Sequence, residues 1–225
     1  MSGTVLILAG GNEPSPDVLR ALPPAAMCIT ADHGTDHARR LGIVPDLVVG
    51  DLDSVSASSL AWARDNGAVI ERHPAAKNHT DLELALARAV DTGPDRIVVA
   101  AVDGDRFDHV LANMAVVASP AYASVPVDVL VEGARIAVVH DHRRLSGSPG
   151  SLVSLLPVGG DAHGVTTDGL VYPLADETLE ARSGRGVSNL LVGTEATITL
   201  RDGTLLAVQP DPDIVHPSDP GDDRR

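Results

Sequence analysis

The sequence predicts an α/β domain with a mostly parallel sheet over residues 1–122, then an all-β sandwich over 123–210 and a disordered tail at 211–225. Three observations lead there. Short runs rich in Val and Ile alternate with helical patterns as far as about residue 120, as expected of strands joined by covering helices. After Pro120 the strand-like runs continue but no convincing helix separates them. From about Pro210 onward Pro, Asp and Gly replace any periodicity, and such a segment cannot bury enough apolar surface to order itself.

In the first domain, Thr4–Ala9 reads as a strand closed by Gly10-Gly11-Asn12, with a helix expected from Ser15. Met27–Ala31 is the second strand, leading through Asp32 into a helix over about Thr35–Leu41. Asp46–Val49 is the third, between Pro45 and Gly50. Ser56 is placed to cap a helix over Ala57–Asn66, with Gly67 as its stop. Ala68–Glu71 is the fourth strand. Thr80-Asp81-Leu82-Glu83 has capping-box spacing, and the helix it opens puts Leu82, Ala85, Leu86 and Ala89 on one face. Arg96–Val102 is a fifth strand and Phe107–Ala118 another helix. The pattern is Rossmann-like, with a mostly parallel sheet covered on both faces. In the second domain Val125–Val131, Ala134–His140, Ser151–Pro157 and Thr194–Leu200 are strand candidates, and Thr197–Val208 reads as a hairpin about Asp202-Gly203. Asp141-His142-Arg143-Arg144 reads as a charged loop.

Composition narrows the function. A net charge of −14 argues against a nucleic-acid surface, which needs clustered Lys and Arg. No apolar run approaches the ~20 residues of a membrane span, and no signal peptide is legible, so a cytoplasmic protein is expected. The single cysteine, Cys28, lies in an apolar run and reads as a core thiol; no zinc-type pattern of Cys or His occurs. Aromatics make up only 2% of the chain, so Val, Leu, Ile and Ala fill the core. The only lysine, Lys77, lies inside an acidic cluster.

Three such clusters follow strand runs: Gly50-Asp51-Leu52-Asp53-Ser54, Lys77-Asn78-His79-Thr80-Asp81 and Gly104-Asp105-Arg106-Phe107-Asp108-His109. Loops at the carboxyl ends of parallel strands are where open α/β sheets bind ligands. Carboxylates with one Lys and one Arg suit a divalent cation bound to a polyphosphate. In extended chain Asp51 and Asp53 share a face, Cα atoms roughly 6.5 Å apart, and can approach one cation; a helix-capping turn is the competing reading. Asp81 falls at the first helical position, where the helix dipole alone favours an anion. Arg106 can clamp phosphate bidentately; Asp108 can bind metal, orient a hydroxyl or cap its helix, and His109 can line the site. Asp32, at a strand end, can hold ribose or metal or simply make a turn. Ser188-Asn189, after Gly184-Arg185-Gly186, lies in a Gly-rich turn of the second domain.

Taken in order, Ala31-Asp32-His33-Gly34, Pro45-Asp46 with Gly50-Asp51-Leu52-Asp53-Ser54, Lys77 with Thr80-Asp81-Leu82-Glu83-Leu84-Ala85, and Gly104-Asp105-Arg106-Phe107-Asp108-His109 with Ala112-Asn113 resemble the thiamine pyrophosphokinase family. The likeness continues more faintly through Gly169-Leu170, Tyr172-Pro173-Leu174 and Gly186 with Ser188-Asn189. The resemblance implies an N-terminal α/β domain, a C-terminal β-sandwich and a homodimer with active sites shared between subunits. It implies that the thiamine hydroxyl attacks the β-phosphorus of ATP, giving thiamine diphosphate and AMP with Mg²⁺ required. It implies that Asp51, Asp53 and Asp81 hold magnesium, that Asp51, Asp53, Asp81, Arg106 and Asp108 are catalytic, and that Asp32, Gly34, Ser54, Lys77, Thr80 and His109 line the ATP and phosphate site. Ser188 and Asn189 would bind thiamine. The chain differs from the family pattern at His33 and Asp105, where Gly is usual, and at Asn78, where Asp is common. It also has no C-terminal Trp, its one tryptophan being Trp62. A diphosphokinase acting on another hydroxymethyl heterocycle, such as a pterin, and a non-catalytic nucleotide- or thiamine-diphosphate-binding regulator are the alternatives.

Overall fold

The computed structural model describes residues 3–210 except 16, 17, 19–21, 23, 77 and 105. Lys77, Asp105, the expected tail and most of the helix expected from Ser15 therefore lie outside the described residues. The chain divides into two compact units, Met1–Glu132 and Gly133–Arg225.

The first unit is built on six strands: β1 (Thr4–Leu8), β2 (Ala25–Ala31), β3 (Leu47–Gly50), β4 (Val69–Arg72), β5 (Arg96–Ala100) and β6 (Val127–Val131). They lie in the order β6-β5-β1-β2-β3-β4, and each neighbouring pair is parallel. Central strands buried on both faces need continuous apolar sequence, and Val5–Leu8 and Ile97–Ala100 supply it. Four helices are described: α1 (Gly34–Leu41), α2 (Ala57–Asp65), α3 (Asp81–Asp91) and α4 (Phe107–Val117). The expected capping box forms at α3: Glu83 N–H donates to Thr80 Oγ1 at 3.2 Å and Thr80 N–H to Glu83 Oε2 at 2.6 Å. Leu82, Ala85, Leu86 and Ala89 are its buried face, as the spacing predicts. Removing such a side chain, as in Leu86→Ala, typically costs about 2–5 kcal/mol. The strand expected at Val125–Val131 as the first of the second domain is β6; it pairs in parallel with β5 and lies in the first unit, which ends at Glu132 rather than near residue 122. Among the described residues no helix is long and apolar enough to cross a membrane.

The second unit is β-rich: β7 (Ala134–Val139), β8 (His142–Ser146), β9 (Leu152–Pro157), β10 (Ala162–Asp168), β11 (Glu177–Leu179), β12 (Asn189–Leu190), β13 (Glu195–Thr199) and β14 (Leu205–Pro210). Antiparallel pairing gives the orders β12-β9-β14-β7 and β11-β10-β13-β8. One apolar cluster draws on both sets, with Ala137, Val153, Leu155 and Leu205 from the first and Leu145, Val165, Ala196 and Ile198 from the second. Alternation puts these residues inward and their polar neighbours outward. The expected hairpin about Asp202-Gly203 is not formed. β13 pairs with β8 and β10, while β14 pairs with β7 and β9, so the turn carries the chain from one set to the other. The stretch read as a charged loop is strand β8. At the edge of its set, charged side chains remain solvated while Leu145 alone faces the core.

Candidate active site

In the first unit the strand order places β2, β3 and β4 on one side of β1 and β5 and β6 on the other. The loops leaving β1, β2, β3 and β5 meet at the carboxyl ends, where such sheets hold ligands. Asp32 follows β2; Asp51, Asp53 and Ser54 follow β3; Asp81 opens α3; Arg106 and Asp108 flank the start of α4.

Asp32, Asp51 and Asp53 each present a carboxylate oxygen within 4.8 Å of the others. Asp51 and Asp53 do not converge by the pleat of an extended strand. Leu52 has φ 65° and folds the segment into a turn, in which Asp53 N–H donates to Asp51 Oδ1 at 3.2 Å. A left-handed Leu carries backbone strain, which is characteristic of residues held for function. Asp81 stands beside the trio. A Cβ added at Gly50 would lie 3.1 Å from Asp81 Oδ1 and 3.2 Å from Asp32 Cβ. Any side chain at position 50 would force these two acids apart, and with φ 150° Gly50 also takes a conformation that other residues rarely adopt.

Asp32 is the acid that the resemblance assigns to the nucleotide, and the structure sets it inside the carboxylate cluster. It is buried, and Ser54 Oγ donates to its Oδ2, while its Oδ1 is buried without a hydrogen-bond partner. Burial pushes its pKa up, the Ser54 bond opposes this, and the charges of Asp81, Asp51 and Asp53 raise it further. A buried, under-satisfied carboxylate among other carboxylates is costly unless a cation neutralises the group. The all-oxygen donor set fits a hard divalent ion.

Arg106 and Asp108 occupy a different setting. They pair bidentately, Nε to Oδ1 at 3.0 Å and Nη2 to Oδ2 at 2.6 Å, and remain 68% and 65% exposed. The hydrogen bond from Arg106 holds the Asp108 carboxyl down at about 2. His109 is also exposed, and Asn113 Nδ2 ties α4 to the carbonyl of Val102 at 2.9 Å. Thr80 serves as the α3 cap. Gly34 is closed over, because a Cβ there would sit 2.0 Å from the Leu8 carbonyl oxygen; its smallness lets α1 pack on β1. His33, where the family usually has Gly, has φ −55° and needs no glycine, and its Nδ1 lies 3.3 Å from the Ser54 carbonyl.

Two buried polar residues were missed by sequence reasoning. Asp36 accepts from Ser56 N–H, Ser56 Oγ and Ser59 Oγ, tying α1 to the cap of α2. Burial alone would raise its pKa, yet those bonds hold it below the ordinary value. His37 bonds to the Gly11 carbonyl. Both sit in a polar stretch at the start of α1, where periodicity reads solvent-facing positions.

In the second unit Ser188 has φ 62° and its N–H donates to Ser154 Oγ at 3.1 Å. The Asn189 side chain is occupied by backbone: its Oδ1 accepts from Tyr172 N–H at 3.0 Å and its Nδ2 donates to the Tyr172 carbonyl at 2.8 Å. Tyr172, clamped in this way, is 65% exposed with Val171, Val187 and Val192 also exposed.

Comparison with known proteins follows the same two-part division. The thiamin pyrophosphokinase catalytic-domain model matches residues 19–129, and the vitamin B1 binding-domain model of the same enzyme matches 136–205. The chain is 27% identical over 217 residues to a thiamine pyrophosphokinase of Bacillus subtilis, covering 92% of this chain and 98% of that protein. A crystal structure of thiamine pyrophosphokinase from B. subtilis superimposes with a TM-score of 0.79 at 25% identity, covering 92% and 99% of the two chains. That of Geobacillus thermodenitrificans gives 0.76 at 23% identity over 92% and 97%, which bears on the fold. The chain belongs to the thiamine pyrophosphokinase family.

Proposed function

We propose that the chain transfers diphosphate from ATP to the hydroxyl of thiamine, giving thiamine diphosphate and AMP. The observation that carries this reading is the Asp32, Asp51 and Asp53 cluster with Asp81 beside it, at the strand ends of the first unit. A Mg²⁺ ion bound there would neutralise charge on the β- and γ-phosphates. Asp51, Asp53 and Asp81 are the proposed ligands from the family pattern, and Asp32 is proposed with them because its carboxylate lies within 4.8 Å of those of Asp51 and Asp53.

Arg106 is proposed to exchange its Asp108 partner for phosphate oxygens, since an exposed ion pair is held weakly and a guanidinium fits phosphate bidentately. Its fixed charge then favours the transition state more than the ground state. Asp108, once Arg106 has turned to phosphate, is freed of the hydrogen bond that holds its carboxyl down and becomes a candidate to take the hydroxyl proton. Asp51, in the carboxylate cluster, is the other candidate for that proton. Thr80 and Ser54 act through the segments they fix, Thr80 by capping α3 behind Asp81 and Ser54 by orienting Asp32. Lys77 and His109 complete the proposed phosphate-side set, while Gly34 acts through the packing of α1 on β1.

For thiamine, Ser188 and the exposed ring of Tyr172 are the proposed contacts, with Asn189 holding the Tyr172 backbone. We take the enzyme to be a cytoplasmic homodimer in which these groups act on the partner's ATP. Incubation with ATP, Mg²⁺ and either thiamine or a hydroxymethylpterin separates the readings. Thiamine-dependent AMP and thiamine diphosphate are expected. ADP release, pterin-dependent AMP, or ATP binding without turnover would each replace this assignment.

A further inference from the structure

His37 is only 2% exposed, yet both its ring nitrogens are engaged. Nδ1 lies 2.7 Å from Arg40 Nη2 and Nε2 lies 2.8 Å from the Gly11 carbonyl oxygen. A guanidinium only donates and a carbonyl only accepts, so Nδ1 must accept and Nε2 must carry the proton. The pair of bonds therefore demands one neutral tautomer. Burial depresses the pKa of the ring, which keeps it in that form, with His33, Arg40 and Glu13 the charged or titratable groups around it. Arg40 also bonds through Nε to Glu13, so α1 grips the loop after β1 at Gly11 and again at Glu13.

From its other side the same loop is bonded to the segment leaving β5. Gly11 N–H donates to the Ala101 carbonyl at 2.7 Å and Asn12 N–H to the Asp103 carbonyl at 2.8 Å. A Cβ at Gly10 would stand 3.4 Å from His33 Cβ, next to Asp32, and one at Gly104 would stand 3.4 Å from Asn12 Oδ1, on the turn that leads to Arg106. The loop is thus a wedge between the carboxylate cluster and the arginine turn.

We propose that His37 is a positioning residue: by fixing Gly11, it sets the loop that spaces the metal-binding carboxylates from the Arg106 turn, and so aligns the two groups on one polyphosphate. This rests on the ATP reading above. The neutral imidazole serves where an aliphatic side chain would leave the Gly11 carbonyl and the Arg40 guanidinium without partners. Because in-line transfer depends on alignment, small displacements of this loop weaken use of ATP rather than of thiamine.

The test is steady-state kinetics on the full chain, with ATP varied at saturating thiamine and then the reverse, alongside thermal melting. His37→Leu should lower kcat/KM for ATP about tenfold or more, with KM for thiamine within about twofold. His37→Gln, whose amide can donate to Gly11 and accept from Arg40, should recover to within about threefold of wild type. Gly11→Ala displaces the loop from the β5 side, since its Cβ would meet the Asp103 carbonyl oxygen at 2.1 Å, and should reproduce the ATP-selective loss should His37→Leu not fold. Equal losses in His37→Gln and His37→Leu, a parallel rise in KM for thiamine, or unaltered ATP kinetics in Gly11→Ala would overturn the proposal. Wild-type protein that makes no AMP would overturn the ATP reading itself, a separate result.

Discussion

At the carboxyl ends of β2 and β3, carboxylates are gathered around a buried Asp32, whereas at the head of α4 Arg106 and Asp108 stand in solvent and neutralise one another. The first arrangement is built at a cost. It combines desolvation, like charge and a left-handed Leu52, none of which a folded chain keeps without compensation. The second costs little, since an exposed ion pair is worth little and can be exchanged. The contrast teaches that the two groups of charged residues differ in kind, although they look alike in sequence. On the proposed reading, the carboxylate side is preformed for a cation, and the arginine side becomes a phosphate clamp only when phosphate competes for it.

The largest effect should come from the preformed side. Asp51→Asn should reduce thiamine-dependent AMP formation by about 10³-fold or more, because on the proposed reading it removes a metal contact in a site that works by electrostatics. Without divalent ions Asp32→Asn should melt no lower than wild type, since the carboxyl that burial and the charges of Asp81, Asp51 and Asp53 disfavour has gone. Wild type should gain stability on adding Mg²⁺, by about 2.7 kcal/mol at a hundredfold excess over its Kd, and Asp32→Asn should gain less. A variant that turns over normally, or a melting temperature indifferent to Mg²⁺, would break the contrast at its stronger end.

Arg106→Lys comes next. It keeps the charge but loses the two-pronged geometry, and a loss of about 10²-fold in kcat/KM for ATP is expected. The melting temperature should not change, because the Asp108 partner is itself exposed. A drop in melting temperature with little change in kinetics would make the pair structural and reverse the argument.

The sequence made the first unit legible for physical reasons that the second lacks. Central parallel strands must be apolar throughout, so Val5–Leu8 and Ile97–Ala100 announce themselves, and the capping box at Thr80-Asp81-Leu82-Glu83 marked the start of α3. In the second unit β8 was hidden because an edge strand is permitted charge, and the turn at Asp202-Gly203 looked local because hairpin chemistry does not reveal which partners its strands choose. At the candidate site, the convergence of Asp51 and Asp53 was readable from their spacing, although a turn at Leu52 rather than an extended strand brings them together, and Asp81 was joined to them by the resemblance. The place of Asp32 among them depends on β2 lying beside β3, and the Asn189 side chain's engagement with Tyr172 depends on the fold bringing residues seventeen apart together. Asp36 and His37 left no trace in periodicity, because a buried polar residue on a helix looks the same in sequence as a solvated one.

The smallest expected effect lies in the loop between the two sides. Burial is the main cause that lowers the His37 pKa, opposed by its bond to Gly11 and assisted by the charges of His33 and Arg40. The unfolded chain takes up a proton on this residue near its ordinary value of about 6.5, and the folded chain only at lower pH. Between the two the unfolded state binds more protons, so this contribution to stability is full above that pH and is lost as pH falls. His140, also lowered by burial, acts in the same direction. Denaturant midpoints compared on either side of pH 6.5 should therefore fall with acidification in wild type and fall less in His37→Gln, whose side chain does not titrate. Equal losses in the two proteins would assign the acid sensitivity to His140 or another group. A smaller loss in the variant would show that the wedge between the preformed and exchangeable sides is held by an uncharged imidazole.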